Sequence, residues 1–146
     1  SIRRQRQMCI RDSEFLYHLC RSYSHQIPSA SLTGSQRDLQ RVTHVMNWVK
    51  VHYPEPLSLE TAADSLALSK EYFCRLFKKY TGQTFLEYLN DVRTMHLYED
   101  LQNSDETITV LMEKNGLSNY KIFMRTFKKL YGSTPQKMRS NRIRHV

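Results

Sequence analysis

Glycine is scarce in this chain: Gly34, Gly82, Gly116 and Gly132 are the only four in 146 residues, and no two stand closer than 16 positions. Loops that cradle phosphate with backbone amides, of the P-loop or dinucleotide type, need clustered glycines, so both are excluded. Cysteine is equally thin. Cys9, Cys20 and Cys74 are odd in number and irregular in spacing, which argues against a disulfide framework and for a reducing compartment, the cytoplasm. There is no long apolar run, and with a mean hydropathy of −0.61 a transmembrane helix is excluded. The length suits one domain of ordinary size, or one compact domain plus a segment borrowed from a neighbour, and excludes a multidomain enzyme. Ser1-Ile2-Arg3-Arg4 supplies neither an initiator Met nor the start of a signal peptide, so we expect the chain to be part of something longer.

Acid is the minority charge. Against 22 Lys and Arg stand 14 Asp and Glu, a formal charge of +8, which favours an anionic partner such as nucleic acid or an acidic membrane surface. Hydrophobic residues at 40%, aromatics at 11% among them, suffice to bury a core.

Sliding the sequence over itself by 50 positions exposes an internal repeat. Phe73, Arg75, Phe77, Lys78, Lys79, Gly82 and Thr84 recur as Phe123, Arg125, Phe127, Lys128, Lys129, Gly132 and Thr134. Two copies are too few for a solenoid, so a duplicated supersecondary unit is implied. Each copy has the signals of helix, short turn, helix. In the first, Ser58 caps a short helix to about Leu66 with Leu59, Ala62, Ala63 and Leu66 on its apolar face; Ser69 caps a second over 70–80, and Gly82 stops it. In the second, residues 107–115 form the first helix, Gly116 makes the turn, Asn119 caps the next helix and Gly132 ends it. Leu66 stands 50 positions before Gly116, so the two turns are expected to differ slightly.

The remaining pattern is also helical, and the fold class read from it is all-α. A helix over 38–52 carries Leu39, Val42, Val45, Met46 and Val49 on one stripe. A connector over 85–102, with Leu86, Leu89, Val92, Met95 and Tyr98 at helical spacing, joins the two units and spans roughly 27 Å. A last helix begins at Thr134-Pro135. Before these, residues 5–24 present Met8, Phe15, Leu16, Leu19 and Tyr23 at helical spacing, and 29–36, rich in Ser, Thr and Gly, resembles a linker. That N-terminal helix is either packed on the main domain or the tail of a preceding one. The organisation expected is thus a linker region over 1–37 and a domain over 38–146, with helix-turn-helix units at 58–82 and 107–132.

The second helix of each unit has two unlike faces. Phe73, Leu76, Phe77 and Tyr80 face a core, as do Phe123, Thr126, Phe127 and Leu130. Opposite them lie Glu71, Cys74, Arg75 and Lys78 in one copy and Lys121, Met124, Arg125 and Lys128 in the other. Residues 69–82 carry a net +3 and residues 118–145 a net +8, while the rest of the chain is net −3. Positive charge is therefore localised to the repeated second helices and the C-terminal segment. A helix-turn-helix places its second helix in the major groove, and two units about 34 Å apart meet successive grooves on one face. The connector has about that length. Arg75 and Arg125 suit bidentate contacts to guanine, whereas Lys78, Lys79, Lys128 and Lys129 suit phosphates.

Residues 38–139 resemble the C-terminal DNA-binding domain of the AraC/XylS family of bacterial transcription regulators. The second copy carries the likeness through Ile108, Gly116, Phe123, Arg125, Phe127-Lys128-Lys129, Gly132, Thr134-Pro135 and Arg139. The first carries it through Leu59, Ala62, Ser69, Tyr72-Phe73, Arg75-Leu76-Phe77-Lys78-Lys79 and Gly82, and the connector through Phe85, Tyr88-Leu89 and Arg93. The resemblance implies base-reading positions at Glu71, Cys74 and Arg75 in the first unit and Tyr120, Lys121, Met124 and Arg125 in the second. Ser69, Lys70, Asn119 and Arg139 join Lys78, Lys79, Lys128 and Lys129 as implied phosphate contacts. It further implies a double-stranded DNA operator and RNA polymerase as partners, an upstream sensor domain absent from these residues, and a homodimer in the full-length protein. Where the family has Gly-Phe at the second turn this chain has Gly116-Leu117, and Met112 and Leu97 stand at core positions where it has a small residue.

Three rival chemistries have weaker support. Zinc is opposed by the spacing of His18, Cys20 and His25, and of His44 and His52, which fits neither a zinc knuckle nor a metalloprotease helix. Cys74 is the only candidate nucleophile, and no His lies nearby in sequence to act as its base. Arg3, Arg4, Arg6 and Arg11 precede an amphipathic segment, as in a membrane anchor, but Asp12 and Glu14 dilute that reading. We therefore expect no cofactor, no metal, no membrane partner and no catalysis. The alternative function is a basic amphipathic module that binds nucleic acid or an anionic membrane surface without sequence specificity.

Overall fold

The computed structural model describes residues 32–144; the amphipathic segment over 5–24 and the linker positions 29–31 lie outside the described residues. Seven helices and no strand occur among the described residues: α1 (Leu32–His52), α2 (Leu59–Ser65), α3 (Lys70–Thr81), α4 (Phe85–Asn103), α5 (Ile108–Lys114), α6 (Tyr120–Tyr131) and α7 (Pro135–Arg144).

Helix ends follow local chemistry closely. Ser58 and Thr84 form reciprocal capping boxes with Thr61 and Glu87, and Ser69, Thr107 and Asn119 accept from the amides of Tyr72, Val110 and Ile122. Each such cap is worth about 1 kcal/mol against alanine. Gly82 and Gly132 end α3 and α6 in the left-handed region, at φ 77° and 68°.

One expectation fails at the start of α1. Residues 32–36 are helical, not linker, so the helix begins six positions before Asp38. The Ser and Gly signal is a weak one there, and the first turns of α1 have a tertiary neighbour: the Tyr80 hydroxyl at the end of α3 lies 3.4 Å from the Ser35 carbonyl.

Two cores share one helix. The first gathers Val42, Val45 and Val49 of α1, Ala62 and Ala63 of α2, Phe73 and Phe77 of α3, and Phe85, Tyr88, Leu89 and Val92 from the first half of α4. The second gathers Leu97 and Leu101 from the last half of α4 with Leu111, Met112, Leu117, Phe123 and Phe127. Volume explains the inequality of α2 and α5. Where α1 fills the first unit with three valines, alanines suffice at 62 and 63; among the described residues only Met138 of α7 packs on the second core from outside, and the larger Leu111 and Met112 fill the space themselves. Serving two cores, α4 has no single apolar stripe. Leu86, expected inside, is 52% exposed, because burial at this end falls on Phe85, Tyr88 and Leu89.

The duplication slips by one residue at its turns. Leu66 and Asn115 are the two C-caps, and the left-handed residue that follows is Ala67 (φ 53°) in one unit and Gly116 (φ 76°) in the other. Ala67, not Leu66, is therefore the counterpart of Gly116, and Ser118 is an extra residue before the cap of α6. Gly116 is doubly required, since a Cβ there would lie 2.8 Å from the Pro54 carbonyl oxygen, on the loop that follows α1. Gly132→Ala, with open space around it, should lower unfolding free energy by about 1 kcal/mol. Gly116→Ala should lower it by about 3 kcal/mol or more, because backbone strain and a clash with backbone combine. Ala67→Gly should change it by less than about 1 kcal/mol, relieved strain offsetting added chain entropy. Denaturant titration of the three variants checks the order.

Candidate nucleic-acid interface

Helices α3 and α6 present the faces that sequence periodicity assigned to them. Phe73, Leu76 and Phe77, and Phe123, Thr126 and Phe127, are buried, which turns Glu71, Arg75 and Lys78 of α3 and Lys121, Arg125 and Lys128 of α6 to solvent. Cys74 and Met124 are half-buried, and Met124 packs against the second core. Tyr120, at the first position of α6, is 54% exposed. All seven base-reading candidates therefore lie on the two helices as a duplicated pair of surfaces.

The phosphate candidates divide. Lys78 and Lys128 are exposed in the last turns of their helices, and Lys79 is exposed with its ammonium 5.4 Å from the Tyr80 ring centroid. Ser69 and Asn119 spend their side-chain oxygens on capping, which leaves the amides of the first turns directed outward as helix N-termini are. Lys70 donates to Glu60 at 2.6 Å, and that bond holds the Glu60 carboxyl below its ordinary range. Both partners are exposed, so the pair is weak and exchangeable.

Lys129 and Arg139 bond to groups of the chain itself, although the Lys129 side chain is still 53% exposed. Lys129 Nζ donates to Asp91 Oδ1 at 2.7 Å, and Asp91 is only 4% exposed. Desolvation pushes the Asp91 carboxyl up, and the bond and charge of Lys129 act against that. Arg139 donates to the Glu106 carbonyl at 2.5 Å. Its neighbour on the same helix, Arg142, donates to the carbonyls of Leu101, Gln102 and Ser104 and to the carboxylate of Asp105. Helix α7 thus neutralises the carbonyl end of α4, where a cation is favoured by the helix dipole.

The two units are fixed to one another through α4. Arg93 donates at 2.6 Å to the carbonyls of both Tyr53 and Glu55, and burial lowers its pKa from the ordinary value. The Tyr53 ring stacks on His96 with centroids 3.9 Å apart. The loop after α1 is in this way pinned against α4 and against the Gly116 turn of the second unit. Asp91 and Arg142 were not singled out from sequence. Asp91 carried a usable signal: it is an acid within one turn of Tyr88, Leu89 and Val92, three core-forming positions of the same helix. Arg142 had none, because its acceptors, three carbonyls and the Asp105 carboxylate, lie some 40 residues away.

A family model described as a helix-turn-helix domain matches residues 62–141. The transcriptional activator RhaS of Escherichia fergusonii is 31% identical over 111 residues, covering 76% of this chain and 40% of that protein. A regulator from Chromobacterium violaceum with an AraC-type DNA-binding domain has a similar structure, with a TM-score of 0.60 at 28% identity over 75% of this chain and 95% of that one. The DNA-binding domain of the global transcriptional factor AdpA, solved in complex with a target DNA, gives a TM-score of 0.62 at 25% identity over 68% of this chain and 90% of that one. The chain spans 14% to 40% of the length of the curated relatives it matches.

Arg142→Ala removes a charged donor from three carbonyls and a carboxylate. It should lower stability by about 2–3 kcal/mol while leaving the salt dependence of DNA binding unchanged. Thermal unfolding and binding titrations over a range of salt measure the two effects separately.

Proposed function

Because the chain belongs to the AraC-type helix-turn-helix family of transcription regulators, we propose that it reads DNA by placing α3 and α6 in successive major grooves on one face of the duplex. The observation that carries this reading is the duplicated pair of charged helix faces on one rigid support. Helix α4 has 19 residues and so a length of about 28 Å, of the order of one DNA turn.

Roles follow from chemistry and position. Arg75 and Arg125 are exposed on the outer faces and have the planar fork that pairs with guanine O6 and N7. Glu71 suits the amino group of cytosine, while Cys74 and Met124 offer only apolar contact, so the two units read unlike boxes. Tyr120 and Lys121 complete the second surface. Lys78, Lys79 and Lys128 neutralise phosphate, as do Lys70 once released from Glu60 and the N-termini capped by Ser69 and Asn119. The operator is asymmetric and is read by one chain. RNA polymerase, a sensor domain elsewhere in the full-length protein, and pairing of two chains through the residues before Asp38 belong to the same proposal, as does a cytoplasmic location. No catalytic step is assigned.

Selection of bound duplexes from a random library at ~0.15 M salt tests the reading. Enrichment of two unlike boxes about one helical turn apart is the expected result. Arg125→Ala should then relax preference at one base step, a loss of about 1–3 kcal/mol of discrimination. Lys128→Ala should weaken all sequences alike and reduce the salt slope by about one unit. Binding without enrichment, lost as salt rises, would overturn sequence reading in favour of backbone attraction alone.

A further inference from the structure

Lys128 and Lys129 are adjacent and chemically identical, yet a helix turns by about 100° per residue and sends them in different directions. Both are exposed, Lys128 on the face shared with Lys121 and Arg125, and they differ in what their ammonium groups meet. Lys129 also lies one turn from Arg125, so that Lys121, Arg125 and Lys129 make a single row at spacing four along α6. The far end of that row is tied, through the 2.7 Å bond from Lys129 Nζ to Asp91 Oδ1, to the middle of α4.

Asp91 is almost wholly buried. Taking its cation away would leave a carboxylate uncompensated in a low-dielectric environment, which penalises any move of Lys129 to a DNA phosphate. Glu87 stands one turn before Asp91 on α4 and feels the charges of both Lys129 and Lys78. One edge of α4 therefore faces the C-terminal ends of both recognition helices. The first unit has no equal of this bond among its described contacts: Lys79, the counterpart of Lys129, lies over the ring of Tyr80 on its own helix.

We propose that Asp91 is a positioning residue for DNA reading, which withholds Lys129 from phosphate and uses it as a strut fixing the rotation of α6 about its axis. The direction in which Lys121 and Arg125 meet base edges, and the spacing between boxes that the chain accepts, follow from that strut. This inference rests on the two-groove reading above.

The test titrates wild type, Lys128→Gln, Lys129→Gln and the uncharged pair Asp91→Asn/Lys129→Gln with two kinds of duplex. The first is a mixed-sequence duplex over a range of salt; the second is the selected operator with its box spacing unchanged, shortened or lengthened by one base pair. Lys128→Gln should reduce the salt slope by about 0.9, and Lys129→Gln should leave it at the wild-type value. Lys129→Gln should instead lose about tenfold of the discrimination between correct and shifted spacing, an effect the size of one mismatched base pair. The uncharged pair leaves no buried charge without a partner, so it should fold and show the same relaxed spacing. A slope for Lys129→Gln as low as that of Lys128→Gln would overturn the proposal, and so would undiminished spacing discrimination in the uncharged pair. A wild type indifferent to spacing would refute the two-groove reading itself, while the slopes on mixed-sequence DNA would still decide whether Lys129 touches phosphate.

Discussion

Helix α4 gives its first turns to one core and its last turns to another, and the relation between the two recognition helices is set by that sharing. Phe85, Tyr88, Leu89 and Val92 close the first core, and Leu97 and Leu101 close the second. A helix buried at both ends by different partners cannot rotate to suit one without exposing apolar surface in the other. At about 25 cal/mol for each Å² exposed, even a small rotation is opposed by several large side chains at once. Polar ties reinforce the packing where the two cores meet. Arg93 holds the loop after α1, Gly116 admits that loop's backbone, and Asp91 holds α6. Glycine at 116 is thus a condition for the two units to touch, beyond its service to the turn.

Duplication with divergence explains why similar units rest on unequal support. Both have a seven-residue first helix, a left-handed turn residue, and a twelve-residue second helix stopped by glycine. The first unit leans on α1, so small residues on α2 fill its core; the second leans on α7 and fills its core with Leu111 and Met112. Ala67 tolerates the left-handed conformation that Gly116 adopts without strain, and it is exposed. The turn with close backbone neighbours carries the glycine, and the turn open to solvent does without it.

Much of this was legible in the residues. Caps at Ser58, Ser69 and Asn119 and stops at Gly82 and Gly132 mark helix ends through short-range hydrogen bonds, which depend on a few neighbours only. The inward faces of α3 and α6 follow from periodicity for the same reason. What escaped depends on contacts distant in sequence. The first turns of α1 meet Tyr80, some 45 residues away. Leu86 keeps helical spacing with Leu89 and Val92 and is nonetheless exposed, because a helix serving two cores breaks the assumption of one apolar face. The turn slip was hidden because a 50-residue register aligns the second helices correctly and misaligns the residues before them by one.

Charge is the property that sequence overstates most. Residues 118–145 hold eight basic residues and no acid, and counted as a footprint they promise a correspondingly steep response to salt. Three of the eight are already committed: Lys129 to Asp91, Arg139 to the Glu106 carbonyl, and Arg142 to the end of α4. These cations meet the demands of a fold with buried or terminal negative ends, and moving one to a phosphate would first break the bond it makes within the chain. Lys121, Arg125 and Lys128 are exposed on α6 itself. The count of positive charge locates the surface, whereas the partition of that charge between carbonyl ends, a buried carboxylate and open solvent decides how much of it DNA can use.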